Sequence, residues 1–131
     1  MKRSEMREQA FFLVFENLFD NGENIENLID LYSENVCKVS DYAKKIFQGV
    51  SEKKDELNDT INTYSKRWKA SRLPKVTLSI LYVAIYEICY VDEVPDSVAI
   101  NEAVELAKKY GADEDASFVN GILGSVSRGK E

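Results

Sequence analysis

Apolar residues recur at three- and four-residue spacing along almost the whole chain, and no run alternates as a strand would. The pattern predicts an all-α protein. A first helix is expected over about Ser4 to Phe19. Successive side chains turn by about 100°, so Met6, Ala10, Phe11, Phe12, Leu13, Val14, Phe15, Leu18 and Phe19 wrap most of its circumference. Only Gln9, Glu16 and Asp20 form a polar strip, which predicts a central position in the fold. Asn21-Gly22 ends this helix, and a second is expected from about Ile25 to Cys37, with Ile25, Leu28, Ile29, Tyr32 and Val36 inward. Ser40 opens a third, whose apolar face carries Tyr42, Ala43, Ile46, Phe47 and Val50. Gly49 and Ser51 predict a kink or break, beyond which Leu57, Ile61, Tyr64 and Trp68 continue the stripe. Leu73-Pro74 closes this half, because the residue before proline leaves the helical region.

A further helix over about Val76 to Tyr90 is apolar nearly all round. Tyr82, Tyr86 and Tyr90 fall at i, i+4 and i+8 with Ser79 on their edge. Tyrosine suits a boundary between dry and wet surroundings, so this edge reads either as a core rim or as a docking edge for a protein partner. Pro95 to Gly124 then predicts a helical hairpin. Asp96 or Ser97 is expected to cap its first helix, Gly111 to close it in the left-handed conformation, and Asp113 to cap the second. Ala116, Val119, Leu123 and Val126 form the inward stripe of that second helix.

At 131 residues the chain is expected to be one domain, and 44% apolar with 31% charged residues is a folded protein's composition. No run approaches the roughly 18 apolar residues of a membrane span, and Met-Lys-Arg is not followed by a signal-peptide core, so a cytoplasmic location is expected. Cys37 and Cys89 lack the paired spacing of a zinc or redox site and read as small buried thiols. With no histidine in the chain, Ser-His and Cys-His nucleophiles are excluded. Glu102 with Glu105, and Asp113 with Asp115, have no companion base, nucleophile or metal ligand. They read as solvated helix faces, Glu105 pairing with Lys109 at i, i+4. No catalytic residue, cofactor or metal is therefore expected.

The net charge of −6 argues against nucleic acid on its face, but the cations are clustered. Lys2, Arg3 and Arg7 form one group; Lys66, Arg67, Lys69, Arg72 and Lys75 form another. Arg3 and Arg7 lie one turn apart, in line with Ala10 and Val14, and cations at a helix N-terminus oppose its dipole. They read either as an anion contact or as surface partners of Glu5 and Glu8. Phe118 lies at the margin of its helix's inward stripe, where it reads either as core rim or as a ring for stacking on an unpaired base. Asn120 lies at the other margin, a candidate buried hydrogen-bonding residue, and Gly121 points away from both.

Ile100-Asn101-Glu102-Ala103-Val104-Glu105-Leu106-Ala107-Lys108 followed by Phe118-Val119-Asn120-Gly121 resembles the C-terminal signature of the transcription antitermination protein NusB family. Arg7-Glu8-Gln9-Ala10, Ala84-Ile85-Tyr86-Glu87 and Val94-Pro95 extend the likeness over about Arg3 to Leu123. The resemblance implies about seven helices in two small packed bundles, about 1–73 and about 74–131, and no enzymatic activity. It implies binding of boxA-type single-stranded RNA of nascent transcripts with the ribosomal small-subunit protein NusE. Attachment to RNA polymerase through other Nus factors, and promotion of ribosomal RNA transcription, follow from the same likeness. Carried over by position, basic contacts to RNA fall on Arg3 and Arg7, and aromatic contacts on Phe15 and Phe118. Tyr82, Tyr86 and Tyr90 remain candidate partner contacts. Two departures stand out: Ser4 and Glu5 interrupt the arginine arm, and Tyr82 stands where many relatives carry a basic residue. With the net charge, they imply weak RNA binding by the isolated protein and a larger part for NusE. The competing readings are a helical protein–protein adaptor and a NusB-type substrate-positioning module, as in some ribosomal RNA methyltransferases. The latter requires a cofactor domain for which 131 residues leave no room.

Overall fold

The computed structural model describes residues 1–19, 29–30, 32–34 and 38–130. Among them are six α-helices with defined bounds and one short 3-10 helix, with no strand. They are α1 (Arg3–Phe19), α2 (Asp41–Glu52), α3 (Lys54–Tyr64), the 3-10 helix (Ala70–Arg72), α4 (Lys75–Tyr90), α5 (Asp96–Tyr110) and α6 (Asp115–Gly129). The helix expected over Ile25 to Cys37 falls largely outside the described residues, although Ile29 is buried and Tyr32 half-buried. Cys37 also lies outside them; Cys89 is exposed rather than buried.

The helix apolar nearly all round takes the centre. α4 packs against α1, α2, α3, α5 and α6, and Ile80, Leu81, Val83, Ala84, Ile85 and Ile88 are buried along it. Apolar side chains from all six helices join one continuous core. Each fully buried leucine or isoleucine contributes about 1.5–3 kcal/mol by leaving water. α1 is less deeply embedded than α4, and its expected polar strip is partly internal. Gln9 is buried, donating from Nε2 to the Lys38 carbonyl at 3.1 Å and accepting from the Ser40 N–H at 3.0 Å. Ser40 then caps α2, its Oγ accepting from the Ala43 N–H at 3.1 Å.

The break expected around Gly49 and Ser51 falls at Lys53, between α2 and α3, where φ −103° and ψ 15° leave the helical region. Gly49 itself serves packing: the Tyr86 ring occupies the space that a Cβ there would need. α3 ends at Tyr64, so Trp68 does not continue the buried stripe and is 51% exposed.

α5 and α6 form the expected hairpin, but its capping differs. Neither helix has a side-chain N-cap hydrogen bond. The Asp96 carboxylate instead accepts from Ser127 Oγ at 2.6 Å and Lys130 Nζ at 2.7 Å, and Lys130 also donates to the Ile88 carbonyl at 3.1 Å. The C-terminal end of α6 is thereby fastened to the α4–α5 junction. Gly111 has φ −102°, not the left-handed conformation; it is small because a Cβ would meet the Ala107 carbonyl and the Asp115 carboxylate. Asp115, not Asp113, closes the turn by accepting from the Ala112 N–H at 2.7 Å.

Because the Gly49 contact is with a ring rather than with backbone, Gly49→Ala should destabilise the protein by about 1–3 kcal/mol in urea unfolding. In a Tyr86→Ala background most of that cost should vanish. An equal cost in both backgrounds would contradict the contact.

Candidate nucleic-acid interface

Arg7 shares the face of α1 that carries Ala10 and Val14, and that face is buried. Its guanidinium, 2% exposed, is held from two helices. Nε lies 2.8 and 2.9 Å from the two oxygens of the fully buried Glu87 on α4, and Nη1 lies 3.1 Å from Glu102 on α5. Tyr42 of α2 donates its hydroxyl to the same Glu87 at 2.5 Å. Burial alone would lower the Arg7 pKa, but hydrogen bonding and attraction to Glu87 win and raise it. Burial and Glu87 together push the Tyr42 phenol well above its usual range. Both groups therefore keep their protons at neutral pH. The expectation of Arg7 as an outward basic contact is corrected: its charge is internal, and four helices meet on it. Glu102 is corrected likewise, being a partner of Arg7 rather than a solvated carboxylate.

Arg3, one turn earlier, remains at the surface. Its guanidinium lies over the Tyr42 ring, 4.1 Å from the centroid, with Glu93 at 4.0 Å. Glu8 is paired with Lys109 at 2.9 Å rather than with an arginine, and Glu105 meets Lys108, not Lys109. The Glu8 carboxyl is held below its ordinary range: burial would raise it, but hydrogen bonds from Lys109 and Tyr110 outweigh burial. The cleft beside Arg7 is lined by Glu5, Glu8, Glu102 and Glu105 against Lys108 and Lys109, an unfavourable lining for phosphate.

Phe15 is half-buried within an aromatic ladder on α1. Its ring lies 6.1 Å from that of buried Phe11 and meets Phe19 edge-on at 4.9 Å. Phe19 is 57% exposed and carries Lys75 Nζ 5.3 Å from its centroid. The ladder thus runs from core to solvent and ends under a cation.

Phe118 is half-buried on α6, between two surface clefts. One is shared with Arg67, Trp68, Arg72 and Pro74, opposite Glu114 and Asp115; the other with Lys66, Arg67, Ser117 and Gly121. Neither cleft contains Arg3, Arg7 or Phe15. The connection to Phe15 runs through adjacent residues, since Pro74 lines a Phe118 cleft and Lys75 covers Phe19. The company of Trp68 and Arg67 was missed from spacing because Trp68 fitted a helical stripe. The available signal was the run Lys66 to Lys75, with five cations and no carboxylate. Asn120 is exposed, not a buried hydrogen-bonding residue.

The tyrosine edge grades from inside to outside. Tyr82 is buried and donates to Asn58 Oδ1 at 2.5 Å, which corrects its candidacy as a surface contact. Tyr86 is half-buried, and Tyr90 is 41% exposed with its hydroxyl 3.1 Å from Glu56. Ser79 is also buried, donating to the Lys75 carbonyl at 2.7 Å. Among the described residues no group of side chains could hold a metal ion, and no helix is long and apolar enough to cross a membrane.

Fold and surface together define an all-helical protein that presents aromatic rings beside cations over a single core. The chain belongs to the NusB family, whose profile matches residues 4–128. It is 43% identical over 133 residues to the transcription antitermination protein NusB of Acetivibrio thermocellus, covering 99% of this chain and 91% of that protein. The NusB of Clostridium botulinum (strain Kyoto / Type A2) is 41% identical over 143 residues, covering 96% and 99%. A solved structure of T. maritima NusB aligns with a TM-score of 0.89 at 30% identity, over 98% of this chain and 92% of that one. A structure of the antitermination factors NusB and NusE in complex with double-stranded RNA aligns with a TM-score of 0.84 at 25% identity, over 96% of each chain.

Removing one member of a buried charge pair strands the other, so Arg7→Ala should cost about 3–5 kcal/mol in urea unfolding. Arg3→Ala, at the surface, should stay within about 0.5 kcal/mol of wild type. Equal stability losses would show that Arg7 is not the internal tie described.

Proposed function

We propose that the protein is an RNA-binding transcription antitermination factor that binds boxA RNA of nascent transcripts together with NusE and promotes ribosomal RNA transcription. Membership of the NusB family over nearly the whole chain supports this reading. The single structural observation that carries it is Phe118, a half-buried ring flanked by Arg67 and opening onto two clefts. A ring so placed is firmly seated by its inner edge while its outer face can stack on a base. Arg3 supplies a surface cation and Phe15 an aromatic margin on α1, whereas Arg7 positions α1 from beneath. Work by binding rather than catalysis fits a chain without the histidine of Ser-His and Cys-His nucleophiles, and a cytoplasmic location belongs to the same reading. Contact with RNA polymerase through other Nus factors completes the reading.

A docking edge for protein is the second reading, favoured by exposed Tyr90, whose ring is tilted against that of Tyr86 at 5.1 Å. The two are compatible, because this edge and the Phe118 clefts share no residue.

In fluorescence-anisotropy titrations of a boxA oligonucleotide with NusE present, Phe118→Ala should weaken binding by about 1–3 kcal/mol. Arg3→Ala should weaken it modestly and reduce the logarithmic salt slope by about 1. Wild-type affinity in a folded Phe118→Ala protein would sink the stacking role, and no preference for boxA over scrambled RNA would sink the reading as a whole.

A further inference from the structure

The segment between α3 and α4 presents a large aromatic to solvent on an ordered loop. Ser65 Oγ donates to the Trp68 carbonyl at 2.5 Å and accepts from the Trp68 N–H at 3.2 Å. Asn62 Oδ1 accepts from the Ala70 N–H at 2.8 Å, and the Arg72 and Leu73 N–H groups close the 3-10 turn. The loop is therefore tied at both ends while the indole remains 51% exposed. The backbone that carries the ring is fixed in this way and has little conformational freedom left to lose on binding.

The chain segment that carries Trp68 is one-signed. Lys66, Arg67, Lys69, Arg72 and Lys75 all lie within ten residues that contain no carboxylate. None of the five forms an ion pair with another described residue, unlike Arg3, Arg7, Lys53, Lys108, Lys109 and Lys130. The two clefts bordering Phe118 differ in their far walls. The one with Trp68 and Arg72 faces Glu114 and Asp115, of which Asp115 is already bonded to the Ala112 N–H. The one with Lys66 and Arg67 faces Ser117, Gly121, Ile122 and Ser125 and has no carboxylate in its lining. Gly121 opens that second cleft: a Cβ built there meets nothing within 4 Å.

We propose that the Lys66–Arg72 segment is a second RNA-contact element, in which Trp68 stacks on a base and Lys66 and Arg67 hold phosphates of the strand as it passes Phe118 over Gly121. The inference rests on the RNA-binding reading and adds a contact surface to it. Two features favour RNA over a protein occupant: the unpaired cations match a polyanion, and the Trp68 and Phe118 rings border one cleft, as successive bases on single-stranded RNA require. The surface is also continuous with the α1 ladder, through Pro74 and the Lys75–Phe19 contact.

Trp68 is the only tryptophan in the chain, so its emission reports this element directly. Titration with boxA-bearing single-stranded RNA, with and without NusE, should quench Trp68 in parallel with binding measured by anisotropy. Trp68→Ala should weaken RNA binding about 5- to 100-fold, as loss of one stacked base does. Gly121→Glu, at an open helical position, should leave the fold intact by circular dichroism and weaken binding, while Gly121→Lys should bind at least as tightly as Gly121→Glu and with a steeper salt slope. If Phe118→Ala weakens binding but Trp68→Ala and Gly121→Glu match wild type, this inference is overturned and the functional reading stands. Loss of NusE binding with unchanged RNA affinity would make the segment a protein contact and equally overturn it. An absence of RNA binding by wild type, alone and with NusE, would remove both.

Discussion

The Arg7–Glu87 pair constrains the rest of the molecule. Both side chains are almost wholly out of water, and desolvating two charges costs several kcal/mol per ion unless hydrogen bonds replace the lost hydration. Here the Glu87 carboxylate accepts from Nε and from the Tyr42 hydroxyl, and Glu102 accepts from Nη1, while Nη2 is buried without a partner among the described residues. Satisfying these groups requires α1, α2, α4 and α5 to meet at one point with little freedom in rotation. A purely apolar junction would tolerate small turns of α1 about its axis; this one does not. The orientation of everything else on α1, from Arg3 to the Phe11–Phe15–Phe19 ladder, follows from it.

The surface features repeat one device, an aromatic series that begins in the core and ends in solvent. Phe11 is buried, Phe15 half-buried and Phe19 exposed; Tyr82, Tyr86 and Tyr90 make the same progression on α4. Helical period produces this when a stripe runs past the end of its neighbour's cover. The inner ring anchors the series, and the outer ring is presented without flexible support. Gly49 extends the principle by letting Tyr86 lie directly on the α2 backbone.

Helix positions and the core were legible because burial repeats every three or four residues whatever the partner. The ends of the helices were less so. Asp96 looked like a cap, but Lys130 and Ser127 lie close enough to claim its carboxylate, and such distant competitors leave no local trace. Gly111 looked like a left-handed stop, yet it is small for lack of room. Arg7 is the instructive case at the candidate site. Its alignment with Ala10 and Val14 was visible and pointed inward; what spacing could not supply was a carboxylate 80 residues away to make a buried cation tolerable. Trp68 erred in the opposite direction, because periodicity continued past the point where Ser65 and the 3-10 turn end the helix.

A protein of net charge −6 that binds a polyanion is consistent only if its charges are segregated, and the ion pairs show how that arises. Glu87 and Glu102 share Arg7, Glu8 faces Lys109, and Asp96 faces Lys130, so these acids are largely compensated by local partners. The cations of residues 66–75 have no such partners among the described residues, and their field reaches a neighbouring strand within about one Debye length, 8–10 Å at ordinary ionic strength. Beyond that distance the overall negative charge repels RNA. Long-range steering is therefore weak, and under the proposed function affinity has to come from contact: stacking on aromatic rings, with few phosphates neutralised. Such a surface gains most from a partner that brings cations of its own, which gives the RNA–NusE assembly a physical reason to form as a unit.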